Sequence, residues 1–418
     1  MYRNLILIPF HDWRKCTREG FRTRDAHLIE AFTRGRAFEN VLVVSRPITR
    51  IELARHREAR DPGWNVILRG PKWHVFRDPR GCYVFEYFDP GLVGQVLNGR
   101  SWFYKAYGST EMTLGLFEAL GRLGMDRAIA VTMNVRSARL AMQLAARGIP
   151  VVFDAWDNWL RLPLARNERG HVRRSYADFA KIAPLWFTNS ENNRIEFERQ
   201  FAVGRCTVVP NGVDPHRFRG SLREPKEFEA IPRPRAFFGG KITHLFDVDL
   251  FNDVARRLEQ IQFVVAGQII DRAVWGKIKR AQNVHYLGDI HYEEYPAYVM
   301  SSDICMLPYV RDEKSHGGNS IKLYEYAAAG RPTVSTAGNG ANEMLGFLSV
   351  ANSAEEFAEA ILRCIERGER VPELAESEFS WDERARTMTE HMATFRAEAA
   401  ACGALSPPEG EPGTGWHV

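Results

Sequence analysis

Apolar residues in the first half of the chain fall in short runs separated by amphipathic stretches. The run Asn4–Pro9 closes on a proline and predicts a buried strand. A polar loop follows, then a helix over Phe21–Arg34 and a second strand over Asn40–Ser45. Further on, Ala128–Thr132 predicts a strand, Ser137–Arg147 a helix ending at Gly148, and Val151–Asp154 a strand entered through Pro150. Short β-branched runs alternating with amphipathic helices predict a parallel sheet covered on both faces. Residues 48–125 do not follow this rhythm and read as an insertion of mixed character.

The second half repeats the pattern more cleanly. Strands are predicted at Ala236–Phe238, Gln262–Ala266, Val284–Leu287, Ile304–Leu307 and Thr333–Thr336. Helices are predicted at Asp247–Leu258, Tyr292–Ser301, Asn319–Ala329 and Ala354–Arg367. Gly330 supplies a C-cap for the third, with Pro332 two residues on. The whole predicts a doubly wound domain. The charged stretch Arg219–Glu229 ends in Pro232-Arg233-Pro234 and marks a boundary. The expected organisation is an N-terminal Rossmann-like domain over 1–215 and a C-terminal one over 235–380. A helix over 381–402 is expected to pack back on the first domain, and the Gly- and Pro-rich residues 403–418 to be disordered.

A chain of 418 residues suits two domains, and no apolar run reaches the roughly 20 residues that cross a bilayer. The run Leu5–Ile8 is too short for a signal-peptide core, so a cytoplasmic protein is expected. Six scattered cysteines form no CxxC pair and predict reduced, space-filling thiols rather than a zinc site. Charge is uneven: residues 1–210 carry about +12 and the remainder about −8. Either the arginines of the first half meet an anionic partner, or they are solvated surface. Nucleic acid is not expected.

Ligands of a doubly wound sheet bind beyond the carboxyl ends of its strands. Gly239-Gly240-Lys241 lies there; glycines let backbone approach a phosphate, and lysine adds a point charge. A plain glycine turn with a surface lysine reads equally well, and the P-loop spacing is absent. In Gly317-Gly318-Asn319-Ser320-Ile321-Lys322-Leu323-Tyr324-Glu325, a glycine loop runs into a helix N-terminus that suits a phosphate. Lys322 and Glu325 share one helix face, placing a cation and a ribose-binding carboxylate together, or forming only a surface ion pair. Asp247-Val248-Asp249 opens a helix, where acids are ordinary, and is not read as a metal motif.

Thr207-Val-Val-Pro-Asn-Gly-Val-Asp214 and Lys322-Leu-Tyr-Glu-Tyr-Ala-Ala-Ala-Gly-Arg-Pro-Thr-Val-Ser-Thr336 resemble glycosyltransferase family 4, the group 1 transferases of GT-B fold. Thr188-Asn-Ser-Glu191 and Ser380-Trp381-Asp382 look like further landmarks, and the closest flavour is that of teichuronic-acid and exopolysaccharide transferases. The resemblance runs from about 184 to 382. It implies an α/β fold of two doubly wound domains facing each other across a cleft. It implies a hexosyltransferase-like enzyme that takes a sugar from a UDP- or GDP-sugar, with retention. With Asp247-Val248-Asp249 not read as a metal motif and cationic groups available for the diphosphate, no metal or other cofactor is expected.

The donor residues so implied are Gly240, Lys241, Asn319, Ser320, Lys322 and Glu325. A second family glutamate falls at Gly317, which leaves the donor sugar open. Gly20 stands for the family's glycine-rich loop, while Trp156 and Asp157 take the place of its His-Asp pair. Asp157 is expected to orient an acceptor hydroxyl, or else to cap the next helix, and Trp156 to stack a sugar. Arg18, Arg22 and Arg24, near Arg14 and Lys15, are expected to meet an anionic or lipid-linked glycan at an inner membrane face. The competing readings are a nucleotide-sugar-binding protein without turnover and a nucleotide-sugar 2-epimerase.

Overall fold

A computed structural model of the protein describes residues 2–49, 52, 64–89, 91, 94–311, 318–368, 371–372 and 374–401. The chain divides into two compact units, Met1–Val209 with Arg384–Val418, and Pro210–Glu383. Gly317, Cys402 and residues 403–418, which carried expectations, lie outside the described residues.

The first unit is built on one sheet. Its strands are β1 (Asn4–Ile8), β2 (Asn40–Val44), β3 (Ile48–Thr49), β4 (Asn65–Arg69), β5 (Trp73–Arg77) and β6 (Tyr83–Asp89). β7 (Ala128–Thr132), β8 (Val151–Asp154), β9 (Leu185–Thr188) and β10 (Arg205–Val208) complete it. Their order is β10-β9-β8-β7-β1-β2-β6-β5-β4, with β3 beside β6. Every residue of β1 and β7 is buried, because helices cover both faces, and this is why these strands read as unbroken apolar runs. The insertion turns out to extend the sheet. β6 adds in parallel to β2, and β5 and β4 follow it antiparallel.

Two local readings change. The polar loop after β1 contains a helix, Trp13–Glu19, capped by Asp12, whose carboxylate accepts from the Lys15 N–H at 2.8 Å. Only Trp13 and Cys16 of this helix are buried, so its apolar period was too short to see. It ends at Gly20, in the left-handed conformation (φ 77°) that glycine adopts without strain. The next helix therefore begins at Arg24, not Phe21.

The second unit holds β11 (Arg235–Gly239), β12 (Gln262–Ala266), β13 (Val284–Tyr286), β14 (Ile304–Leu307), β15 (Thr333–Ser335) and β16 (Ser349–Val350). All pairs are parallel, in the order β13-β12-β11-β14-β15-β16. The helix Ala354–Arg367 shows why local signals worked here. Ser353 and Glu356 form a capping box, and Gly368 ends the helix at φ 56°. Val248, Phe251, Val254 and Ala255 bury one stripe of the helix Val248–Arg257. The Trp381 N–H donates to the Val213 carbonyl and the Val213 N–H to the Phe379 carbonyl, so Val213 runs beside Ser380-Trp381. Among the described residues no helix is long and apolar enough to cross a membrane.

Candidate functional site

The strand order of the second unit reverses between β11 and β14. Chains leaving these two strands diverge to opposite faces and open a crevice beyond their carboxyl ends. Gly239-Gly240-Lys241 leaves β11 there, and the helix Ile321–Ala328 follows the loop after β14. Lys322 joins the two: its Nζ lies 6.0 Å from the Phe238 ring centroid and 5.8 Å from that of Tyr309. Its stem crosses Gly240 so closely that a Cβ there would overlap it. Gly240 is thus small to seat a lysine. A Cβ on Gly267, at φ +132°, would in turn overlap the Gly240 carbonyl, so the turns after β11 and β12 touch. Lys241, partly buried, follows on the same turn.

One turn on from Lys322, Glu325 is 4% exposed and accepts a 2.7 Å bond from the Tyr292 hydroxyl. Burial pushes its carboxyl above the ordinary carboxylate range. Tyr292, Lys322, Tyr295 and Arg217 oppose that shift without reversing it. Arg217 stands over the Tyr292 ring, 5.3 Å from its centroid, on the turn Pro215–Phe218. Arg217, Tyr292 and Tyr295 escaped the sequence reading. The Asp214-Pro215 step that opens their turn directly after the 207–214 motif was the available signal.

Asn319 and Ser320 precede the helix instead of opening it. Asn319 is buried and ties three segments. Its Oδ1 accepts from the Asn211 N–H at 3.2 Å, its carbonyl accepts from the Asn211 amide, and its own amide donates to Glu343 at 2.6 Å. The Ser320 N–H donates to the Asn339 carbonyl, and its hydroxyl makes no cap bond. Asp247 caps the helix Val248–Arg257 by accepting from the Leu250 N–H, and Asp249 is exposed. No cluster of three or more His, Cys, Asp or Glu that could hold a metal occurs among the described residues.

In the first unit the predicted residues scatter. Gly20 is the helix terminator described above. Arg18 is exposed, Arg22 pairs with Glu19 at 3.0 Å, and Arg14 pairs with the fully buried Glu86. Arg24 turns inward. It is 2% exposed and donates two bonds, 3.0 and 3.2 Å, to the buried carboxylate of Asp154. Beside it, Asp25 accepts from the His11 backbone and contacts its ring. Burial alone would raise this carboxyl, but His11 and Thr23 outweigh it and hold it far below the carboxylate range. Trp156 donates to the Met133 carbonyl and packs edge-on to Phe10. Asp157 does not cap a helix. Asn158 caps the turn Trp159–Arg161, and the Asp157 carbonyl accepts from Tyr176.

Residues 233–367, from two residues before β11 to the end of the helix Ala354–Arg367, match the family model of glycosyl transferases, group 1. That match lies wholly within the second unit and covers less than half of the chain. The chain is 25% identical over 198 residues to TuaH of Bacillus subtilis (strain 168), provisionally named a teichuronic acid biosynthesis glycosyltransferase. That match covers 44% of this chain and 50% of TuaH, so it spans about half the length of the curated relative. HepE of Anabaena, solved in complex with UDP and glucose, superposes with a TM-score of 0.61 at 14% identity, covering 93% of this chain and 99% of that one. The α,α-trehalose 6-phosphate synthase of Burkholderia multivorans gives 0.60 at 13%, covering 97% and 100%. These likenesses show that the fold is GT-B.

Proposed function

We propose that the protein transfers a sugar from a nucleotide-sugar donor, UDP-linked in the first instance, to a glycan acceptor in surface-polysaccharide synthesis. The observation that carries this reading is the meeting of Lys322, Glu325 and the Gly239-Gly240 turn at the β11/β14 reversal. Glu325, steadied by Tyr292, accepts the ribose hydroxyls. Lys322, Lys241 and Arg217 supply positive charge for the diphosphate, the group on which negative charge grows as the sugar leaves. Asn319 acts at one remove, holding the loop that feeds the helix. The name of TuaH and the UDP-bound HepE complexes support this choice of pathway and nucleotide.

The chemistry is carried without a bound metal, because cationic side chains neutralise the leaving diphosphate. Asp157 and Trp156 are the acceptor-side candidates. The test is calorimetry of UDP and UDP-glucose with the full chain, followed by release of UDP in the presence of acceptor glycans. Binding should weaken at least tenfold in Glu325→Ala, the loss of about 1.4 kcal/mol or more expected for a charge-assisted hydrogen bond. Equal affinity in wild type and variant would place the ribose elsewhere.

A further inference from the structure

The helix Arg166–Ile182 carries two kinds of cationic partner arrangement. Glu168 is buried and pairs with Arg136 at 2.9 Å, while the exposed Arg169 donates to the carbonyls of Leu160 and Leu162. Arg166 and Arg174 stand exposed on another side, and neither meets a carboxylate among the described residues. Arg166, Asn167, Gly170, His171 and Arg174 recur at helical spacing and line a surface basin of ≈ 650 Å³. Tyr104 stacks on His171 with ring centroids 4.8 Å apart, and the exposed Lys105 beside it adds a further positive charge that acts on His171. Arg174 donates to His171 Nδ1 at 3.2 Å, which leaves the ring proton on Nε2. The charged groups that line the basin are therefore cations, and its side chains are rich in hydrogen-bond donors.

Gly170 is a second, independent sign. A glycine inside a helix is unfavourable relative to alanine, and it is usually explained by close packing. Here a Cβ would meet nothing within 4 Å. Packing does not require this glycine, and it leaves this part of the basin's lining without a side chain. Arginines kept only for solubility would need neither the bare glycine nor the histidine between them.

We propose that this basin binds a phosphate-bearing group, held by the guanidinium groups of Arg166 and Arg174 and the ring N–H of His171. The planar forks match phosphate oxygens two at a time, and the anion relieves the repulsion among Arg166, Arg174 and Lys105. The site lies in the first unit and does not rest on the donor reading, so Glu325 variants leave it untouched.

The test uses the full chain, inorganic pyrophosphate, and the ring resonances of His171, assigned against His171→Asn. In the free protein burial, Arg174 and Lys105 lower the proton affinity of this ring, and Glu168 opposes them without reversing the shift. Bound pyrophosphate should move its resonances and raise its titration midpoint. The response should vanish in Arg166→Gln/Arg174→Gln and in Gly170→Leu, which puts a bulky side chain into the lining yet should melt no lower than wild type. Phosphatidylcholine vesicles with and without phosphatidic acid then identify the source of the group. Co-sedimentation that needs phosphatidic acid and is lost in Gly170→Leu points to a lipid headgroup. A pyrophosphate response without co-sedimentation points to a soluble phosphate ester. A His171 ring indifferent to pyrophosphate into the millimolar range, or a Gly170→Leu variant that responds like wild type, overturns the proposal.

Discussion

Arg24→Met separates a structural arginine from a substrate-facing one. The Arg24 guanidinium and the Asp154 carboxylate are 2% and 0% exposed and joined by two hydrogen bonds. Removing the arginine strands a carboxylate at the buried end of β8, a strand flanked on both sides. Breaking a buried pair in this way costs about 3–5 kcal/mol, because the remaining charge keeps its desolvation penalty and loses its partner. Replacing both partners by apolar residues of similar size removes that penalty, so Arg24→Met/Asp154→Leu should recover most of the loss. Urea unfolding followed by tryptophan fluorescence suits the measurement, since most tryptophans lie in the first unit. A loss below about 1 kcal/mol in Arg24→Met, with weakened acceptor use, would refute the structural assignment and return Arg24 to the substrate.

Three further outcomes are expected. Burial raises the Glu325 carboxyl, so the folded protein holds that proton more tightly than the unfolded chain. The stability this contributes is complete below the ordinary carboxylate range and is lost as pH rises through the raised folded value. Glu325→Gln should therefore melt higher than wild type at neutral pH, converge with it in acid, and bind UDP-sugar at least tenfold more weakly; a lower neutral melting temperature would contradict this. Gly240→Ala should displace the flexible Lys322 stem, costing about 1 kcal/mol or less in stability but roughly tenfold in nucleotide affinity by calorimetry. Turnover should survive excess EDTA, and a loss restored by magnesium would disprove the metal-free chemistry.

The legible parts of this protein share one property: their signals are local. The apolar run at Leu5–Ile8 could only be a strand buried on both faces, and it is the central β1. Gly330 ends its helix at φ +63°, and Ser353-Ala-Glu-Glu356 announces a helix start through bonds that close within one turn. Lys322 and Glu325 could be placed on one face because three residues make nearly a turn. The stripe Arg166, Gly170, His171 and Arg174 was equally open to that reasoning, since its spacing is local too.

Local residue order thus dictates the succession of strands and helices and the side chains that a single turn brings together. The tertiary structure alone decided which charges are spent and which remain. Arg24 looked like its exposed neighbour Arg18 until β8, 130 residues away, brought Asp154 against it. Arg217 entered the Glu325 neighbourhood across 108 positions, and Gly240 acquired its purpose only when Lys322 crossed it. An ion pair, or the space above a glycine, depends on distances between atoms far apart in the chain. Local periodicity carries no record of those distances, because sheet order and register set them only once the whole core has packed.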